Sequence, residues 1–298
     1  MENLYEDLEF ILFTIFFLVF VIILVRIYPI VEVVPFLISL SIPIISLLGL
    51  YSFFIEPNFL LSTTSIDLSL KSLPKSFKGF KIVQISDLHF GSSLFPFIYI
   101  LVMDKVMELH PDIIVVTGDL VSDKHAISQA VSFVDSLSKI APTYVVFGNG
   151  DHREGLNAYH FLFSKAKLLL NSHTFIQRGH SKICLAGVDD PYSGFDNLEK
   201  ALPKDNSFKI LLSHSPQIIG KARGKVDLIL AGHTHGGQVC LPFFGSLFVP
   251  LPEEYKKYTY GLFFENSTCM FVSRGIGVAT LYPVRLFCFP EIVVLTFY

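Results

Sequence analysis

Five short polar motifs, each placed directly after an apolar run, constrain the fold of this chain more than any other feature. The runs are rich in Val, Ile and Leu and have the length of buried strands. In chain order the motifs are Asp87-x-His89, Gly118-Asp119, Gly148-Asn149-x-Asp151, His214 and Gly232-His233-Thr234-His235. Because α/β sheets place their sites at the carboxyl ends of strands, we expect these motifs to meet at one edge of a sheet.

Predicted strands alternate with predicted helices over the first half of this region, which indicates an α/β fold. Helices are predicted at residues 94–109 and 126–140. Strands are predicted at residues 80–86, 112–117, 143–147, 182–187, 208–213, 226–231, 259–264, 269–273 and 292–297.

The side chains of the motifs are typical metal ligands. Carboxylate, amide and imidazole groups in this number suit two divalent ions that share one bridging carboxylate, and such a pair can hold a phosphate and activate water. Asp119 is the natural bridge, since its two oxygens can face one ion each, and Asn149 would bind without adding charge. The candidate ligands are Asp87, His89, Asp119, Asn149, His214, His233 and His235.

Two of the motifs share the same ligand spacing. Asp87 and His89 are two residues apart, as are His233 and His235. On an extended backbone such residues face the same way, so both pairs can point into one pocket provided that the strand ends stay extended.

Each motif alone has a simpler interpretation. An Asp-x-His pair occurs by chance, a Gly-Asp pair after a strand is usually a turn, and His214 could be a hydrogen-bonded core imidazole. Five motifs in this order favour a metal site over packing.

The first residues indicate a membrane anchor. Residues 10–25 and 33–55 are apolar, and each stretch is near the ~20 residues that a membrane span needs. They predict a transmembrane helical hairpin that turns at residues 26–32; the alternative is one span with an interfacial helix. A cleaved signal peptide is disfavoured because Glu2, Glu6, Asp7 and Glu9 come before the first stretch. We therefore expect an anchor at residues 1–56, a polar linker at 57–79 and a folded domain at 80–298.

The charge distribution predicts on which side of the membrane the domain lies. Lys71, Lys75, Lys78 and Lys81 follow the predicted hairpin, whereas its turn holds Arg26 alone, so the positive-inside rule predicts that the domain faces the cytoplasm, at the inner membrane. The net charge of -3 gives no reason to expect nucleic acid as a partner. The sequence does not indicate an oligomeric state.

The motifs resemble the five blocks of the calcineurin-like metallophosphoesterases, from about Phe80 to the end of the chain. The run from Gly232 to Gln238, Ser273-Arg274-Gly275 and Pro290-Glu291-Ile292 resemble one branch, the membrane-associated phosphodiesterases with an N-terminal anchor. That branch includes bacterial enzymes that cleave UDP-2,3-diacylglucosamine in lipid A synthesis.

The resemblance implies a β-sandwich flanked by helices and two metal ions, Mn, Fe or Zn, with Mn favoured. It implies that Asp87, His89, Asp119 and His235 hold the first ion. It implies that Asp119, Asn149, His214 and His233 hold the second.

The chain departs from the family pattern at Gly150, where many members carry a histidine thought to assist the leaving group. Asp151 keeps its place and His152 follows. On one interpretation, His152 acts as the general acid, with Asp151 beside it as a second catalytic residue. On another, no acid is needed, because a phosphate leaving from a diphosphate is a weak base. A third interpretation is that Gly150 only relaxes a turn.

Two arginines and one loop could contact a substrate. Arg153 and Arg274 could each bind phosphate oxygens in a fork, although a lone loop arginine is often solvated. The apolar loop 241–250 indicates contact with a bilayer or an acyl chain, or packing against the sheet.

Together these features predict a membrane-anchored hydrolase of a phosphodiester or diphosphate. The substrate expected is lipid-linked or a nucleotide diphosphate, and the first candidate is UDP-2,3-diacylglucosamine, hydrolysed to UMP and the acylated sugar 1-phosphate. The alternatives are a broad phosphodiesterase of other lipids or nucleotides, and a non-catalytic membrane scaffold with a degenerate site.

Overall fold

Two mixed sheets form the centre of residues 55–298. The computed structural model describes residues 14–22, 33–92, 97–156, 163–279 and 283–298. Strands in these ranges are β1 (Ser62–Leu68), β2 (Lys81–Ile85), β3 (Ile113–Thr117), β4 (Thr143–Val146), β5 (Lys167–Leu168), β6 (Ser172–Arg178), β7 (Ser181–Gly187), β8 (Lys209–Leu212), β9 (Leu228–Ala231), β10 (Cys240–Leu241), β11 (Gly245–Ser246), β12 (Gly261–Glu265), β13 (Thr268–Val272) and β14 (Glu291–Phe297).

The strand order brings the motif-bearing strand ends side by side. The first sheet has the order β1-β14-β2-β3-β4-β5, in which only the β14–β2 pair is antiparallel. The second has the order β12-β13-β9-β8-β7-β6, and its strands β13, β9, β8 and β7 are parallel. The carboxyl ends of β2, β3 and β4 are therefore neighbours, as are those of β8 and β9.

Apolar side chains fill three layers, between the sheets and on their outer faces. The layer between the sheets contains Ile82, Val115 and Leu230. Helices Phe97–Leu109 and Ile127–Leu137 cover the first sheet. The second sheet is covered by short helices, Leu198–Ala201 and Ile219–Ala222. This arrangement confirms the predicted α/β class with sheets flanked by helices; residues 94–96 of the first predicted helix lie outside the described residues.

The segment predicted as a linker, residues 57–79, is instead part of the folded domain. It contains β1, which pairs in parallel with β14 from Ser62 opposite Glu291 to Leu68 opposite Phe297. Leu68 and Phe77 are buried between the sheets. The polar composition misled the prediction because β1 is an edge strand, and alternate residues of such a strand face water.

The anchor region contains helices, but the predicted hairpin is not shown. Residues 14–22 and Val33–Leu50 are helical, and a π-helical turn, Tyr51–Ile55, continues the second helix. Within the described ranges one helical segment, Ser39–Phe59, is long and apolar enough to cross a membrane. The predicted turn, residues 26–32, lies outside the described residues, as do the ends of the first apolar stretch.

Candidate metal centre

The predicted ligands follow five strands and come together beyond the ends of those strands. Asp87 and His89 follow β2, Asp119 follows β3, Asn149 begins a short helix, Asn149–Arg153, after β4, His214 follows β8, and His233 and His235 follow β9. Asn149 is half-buried and the other six are buried. The sheet topology therefore collects these side chains, as the sequence predicts.

Asp87, His89 and His235 form a first group whose ligand atoms lie within 4.8 Å of one another. His89 Nε2 is 3.0 Å from His235 Nε2, and the latter is 3.4 Å from Asp87 Oδ1. Two imidazole nitrogens that face each other at this distance cannot both carry a proton. A cation between their lone pairs would satisfy both.

Asp87, Asp119 and His214 form a second group within the same 4.8 Å limit. His214 Nε2 lies 3.4 Å from Asp119 Oδ1 and 3.1 Å from His233 Nδ1. His233 therefore joins this group through its Nδ1 atom. Both groups carry the oxygen and nitrogen donors that suit divalent transition ions.

Asp119 lies between the two groups. Its Oδ2 is 3.5 Å from His89 Nε2, whereas its Oδ1 faces His214. One oxygen on each side is the geometry required of a bridging carboxylate. Asp87 also reaches both groups, although the family resemblance assigns it to the first ion alone.

Three of the histidines are held by a hydrogen bond at the nitrogen that faces away from the site. His89 Nδ1 lies 2.8 Å from Ser122 Oγ, His214 Nδ1 lies 2.9 Å from the Thr117 carbonyl oxygen, and His233 Nε2 lies 3.1 Å from the Pro250 carbonyl oxygen. A ring that donates to these oxygens presents a lone pair at its other nitrogen. Such partners fix the orientation and the tautomer of metal-binding imidazoles.

The Asn149 amide oxygen supplies an independent test of the metal assignment. It is buried and has no hydrogen-bond partner among the described residues. A buried amide oxygen without a partner is costly, and a cation removes that cost. The residues present therefore fit two divalent ions.

The ligand backbones are strained, which the sequence does not predict. Five candidate ligands adopt the left-handed conformation, which costs on the order of 1–3 kcal/mol for each non-glycine residue. The condition of extended strand ends is not met, because each segment turns sharply as soon as it leaves its strand. The φ values are 53° at Asp87, 49° at His89, 51° at Asp119, 73° at His233 and 51° at His235.

Gly118 shows why glycine precedes one of these ligands. Its φ is +84°, and a Cβ atom there would lie 2.7 Å from His214 Nδ1. Only a residue without a side chain lets the strand end approach His214 so closely.

Burial and neighbouring charge set the protonation of the histidines. Burial lowers the pKa of His89, and burial together with the His214 charge lowers the pKa of His233 to about 4. Burial also disfavours the charged form of His214, but the carboxylates of Asp119 and Asp87 outweigh it and raise the pKa of His214 to about 9. The first two rings are therefore neutral and ready to bind a cation, whereas His214 must first lose a proton.

Asp151, predicted as catalytic, has a structural role in the loop that carries Asn149. One of its oxygens accepts from the Leu120 and Val121 amides at 2.7 and 3.3 Å, and the other accepts from the Gly148 amide at 2.9 Å. Burial, with the charge of Asp119, raises the pKa of Asp151 to about 7 against these hydrogen bonds. Because both oxygens are occupied, Asp151 joins the loops of Asp119 and Asn149 and does not face a substrate.

His152, the second predicted catalytic residue, forms a hydrogen-bonded pair with an aspartate. Its Nε2 is 2.6 Å from Asp189 Oδ1, and this hydrogen bond raises the pKa of His152. Its Nδ1 is buried and has no partner among the described residues. Phe195 packs against the ring at 4.6 Å between centroids. Nε2 is therefore engaged by Asp189, and Nδ1 is the ring nitrogen that remains unengaged in the described part of the chain.

Of the two arginines predicted to bind phosphate, Arg274 is engaged elsewhere, whereas Arg153 pairs with its neighbour in sequence. Arg274 Nη2 lies 3.0 Å from Glu291 Oε1, and its backbone amide donates to Glu291 Oε2. Arg153 Nε donates to Glu154 Oε1 at 3.0 Å, and the Arg153 side chain is mostly exposed. Arg274 and Glu291 form an ion pair that serves the fold, because the Glu291 side chain is almost fully buried and needs a cationic partner.

Two further residues contact the site without any local sequence signal. Arg285 is fully buried, donates to the carbonyl oxygens of Gly277 and Cys288, and places Nη2 3.3 Å from His235 Nδ1. The Tyr192 ring lies 4.6 Å from the His233 ring and is half exposed at the rim of the site.

Comparison with known proteins agrees with this geometry. A family model described as calcineurin-like phosphoesterase matches residues 80–237. The chain is 33% identical over 260 residues to the uncharacterized metallophosphoesterase YkuE of Bacillus subtilis, covering 83% of this chain and 88% of that protein. It is 33% identical over 228 residues to the phosphodiesterase YaeI of Escherichia coli, covering 72% and 81% respectively.

A third relative carries a membrane description. The chain is 31% identical over 206 residues to a transmembrane protein with metallophosphoesterase domain from Danio rerio, covering 58% of this chain and 44% of that protein. The matched residues, the fold and the two ligand groups agree: the chain belongs to the calcineurin-like phosphoesterase family and is a metal-dependent phosphoesterase.

Proposed function

We propose that this phosphoesterase is anchored in a membrane and cleaves a phosphodiester or diphosphate bond of a lipid-linked substrate. The first candidate is UDP-2,3-diacylglucosamine, cleaved to UMP and the acylated sugar 1-phosphate of lipid A synthesis. One observation supports the choice of bond: the residue directly after Asn149 is Gly150, which has no side chain to protonate a leaving group. The nearest imidazole in sequence, that of His152, pairs with Asp189 through Nε2.

The two ligand groups would hold the divalent ions on which hydrolysis depends. Divalent ions bound there would supply Lewis acidity toward phosphate oxygens and toward water. Asp119 directs one oxygen to each group, and Ser122, Thr117 and Pro250 fix the imidazole rings. Mn²⁺ is the first ion to test, before Fe²⁺ and Zn²⁺.

The leaving group follows from the missing acid. A sugar or lipid alkoxide is a strong base and needs a proton as it departs, whereas a phosphate that leaves a diphosphate is stable as an anion. A site with glycine at position 150, where many family members carry a histidine, therefore favours diphosphates and activated diesters over simple monoesters.

The anchor supports a lipid substrate. Ser39–Phe59 has the length and apolarity of a span, and a relative is described as transmembrane. Lys71, Lys75, Lys78 and Lys81 favour a domain on the cytoplasmic side of the inner membrane. An enzyme and a substrate confined to one surface also meet more often than in solution.

The test compares substrates on one preparation. Purified full-length protein in mixed micelles with Mn²⁺ is assayed on UDP-2,3-diacylglucosamine, a phospholipid, an aryl phosphodiester and an aryl phosphomonoester. We expect the highest kcat/KM for the first, with UMP released, and the lowest for the monoester. Turnover of the aryl diester without turnover of UDP-2,3-diacylglucosamine would leave a broad phosphodiesterase, which the description of the E. coli relative favours.

A histidine pair tests the missing acid. His152→Ala should lower kcat/KM on the preferred substrate by less than roughly 10-fold, since general acids contribute about 10²–10⁴-fold. His125→Ala is the matched control, because this imidazole also pairs with an aspartate but is exposed. A loss of 10²-fold or more in the first variant alone would identify His152 as the acid.

A further inference from the structure

A short hairpin beside the metal ligands exposes an unusual number of large apolar side chains. It comprises β10, a turn at residues 242–244 and β11, and it continues to Phe248. Phe243 is fully exposed, and Phe244, Leu247 and Phe248 are 84%, 61% and 65% exposed. No residue from Val239 to Pro252 is charged. We call residues 240–248 the apolar hairpin; such a patch marks an interaction surface.

The tip of the apolar hairpin does not serve the fold. Phe243 adopts a left-handed backbone with φ of 69°, a conformation that favours Gly or Asn in a turn. A glycine would relieve the strain. The ring of Phe243 is exposed, so it does not stabilise the domain through burial. An aromatic residue at this position is explained by contact with something outside the domain.

The apolar hairpin is attached directly to the ligand loop. Ser246 Oγ donates to the Gly236 carbonyl oxygen at 2.6 Å, and the Leu247 amide donates to the Val239 carbonyl oxygen at 3.0 Å. Immediately after the hairpin, the Pro250 carbonyl oxygen lies 3.1 Å from His233 Nε2. Whatever surface the hairpin enters therefore lies next to the metal ligands.

Neighbouring segments connect the apolar hairpin to the point where the anchor leaves the domain. The Cys240 amide donates to the Leu286 carbonyl oxygen, and the next residue, Phe287, is half exposed. The Phe287 amide donates to Glu56 Oε2, at the start of helix Glu56–Phe59. Phe59 is itself half exposed and is the last residue of the candidate span Ser39–Phe59.

We propose that the apolar hairpin is a second membrane contact, which inserts Phe243, Phe244 and Phe248 into the lipid surface and holds the ligand loop at the headgroup layer. Uncharged aromatic and aliphatic side chains suit this depth, roughly 5–10 Å into the interface. The bilayer is the occupant because the span ends in the same connected set of exposed apolar residues. The inference rests on the proposed membrane location but not on the proposed substrate.

The chain contains no tryptophan, so a single introduced tryptophan reports one position without background. Four full-length variants are reconstituted in vesicles free of substrate: Phe243→Trp and Phe248→Trp in the hairpin, Ile45→Trp in the span, and Phe264→Trp as control. Phe264 is 67% exposed and lies on β12 of the second sheet. Equal thermal unfolding of the four variants verifies their folding. Emission is compared between ordinary lipids and lipids brominated near the headgroup end or the methyl end of the acyl chain.

We expect bromine near the headgroup end to quench and the bilayer to blue-shift the Phe243→Trp and Phe248→Trp emission, while Phe264→Trp stays red-shifted and unquenched. If the hairpin variants behave like Phe264→Trp while Ile45→Trp is quenched, the hairpin proposal fails and the anchor stands. If Ile45→Trp is unquenched as well, both fail. A blue shift without quenching would mean that protein, such as a second copy of the chain, covers the hairpin; quenching of all four positions would mean unspecific adsorption. Either result overturns the proposal.

Discussion

At Asp119, one carboxylate separates two groups of imidazoles and directs a different oxygen toward each. Asp119→Ala should therefore remove both ions rather than one. We expect elemental analysis to find less than one ion per chain and kcat/KM to fall on the order of 10³-fold, the upper range for loss of one preorganised electrostatic group. Asp123→Ala is the control, because that carboxylate is partly exposed and pairs with His125. Retention of one tightly bound ion in Asp119→Ala would contradict the bridge.

The Ser122 hydroxyl orients His89 without touching a ligand position. Ser122→Ala should weaken metal affinity by about 10–100-fold, as loss of such outer partners does, while the fold is retained. Metal titration measures the effect, and Ser136→Ala on an exposed helix face is the matched control. Equal affinities in the two variants would show that the Ser122 contact does not orient His89.

Metal binding should release a proton from His214. The folded-state pKa is raised to about 9, so the ion-free site holds this proton at pH 7 and must lose it when Nε2 binds an ion. Affinity should therefore rise by about tenfold per pH unit below pH 9 and level off above it. Calorimetric titration in two buffers of different ionisation enthalpy measures the release. Binding heats that do not depend on the buffer would contradict it.

The sequence predicts the identity of the ligands better than their conformation. Asp87, His89 and Asp119 follow apolar runs that mark strand ends, so their meeting was predictable. Their left-handed backbones and the partners Ser122 and Arg285 were not, because these depend on chain segments distant in sequence. For the same reason the sequence did not show that the Arg274 guanidinium, predicted to bind phosphate, pairs with Glu291, seventeen residues away.

Among the elements, strands buried on both faces were predicted to within one or two residues, as was the edge strand β12, whereas the polar edge strands β1 and β6 were missed. β3 and β14 are almost entirely buried, and their apolar runs mark them. β1 and β6 lie at sheet edges and consist mostly of polar residues, so their composition resembles that of loops.

The role of β1 can be tested with one buried and one exposed residue of that strand. Leu68→Ala should destabilise the full-length protein by about 2–5 kcal/mol, because Leu68 packs between the sheets. Thr63→Ala, on the exposed face, should change stability by less than about 0.5 kcal/mol. Chemical unfolding in detergent measures both. Equal stabilities would mean that residues 57–79 behave as a linker.

At the scale of the whole molecule, local sequence patterns could not predict the order of the strands in the sheets. β2 lies between β3 and β14, and β14 is contributed by the last residues of the chain. Periodicity identifies strands but does not pair segments separated by two hundred residues. The resemblance to a family supplied the layered architecture that the local patterns lacked.

Membrane topology is a prediction for the whole chain. A green fluorescent protein fused after Tyr298 should fluoresce and alkaline phosphatase at the same place should be inactive, because the lysine-rich flank favours the cytoplasm. Phosphatase fused after Pro29 should be active if two spans exist and inactive if the first stretch only lies on the surface. An active phosphatase after Tyr298 would place the domain outside the cytoplasm and remove a UDP-linked substrate from consideration.

The segment that follows the candidate span has a mechanical consequence. β1 forms seven residue pairs with β14, and β14 adjoins β2, which leads into Asp87. If the span crosses a bilayer, a force directed along β1 would load this row of backbone hydrogen bonds in shear, and many of them would have to break together. Forces on the anchor would then reach the first sheet, which carries Asp87. Replacing residues 57–79 by a flexible linker would remove this mechanical connection and also the edge strand β1.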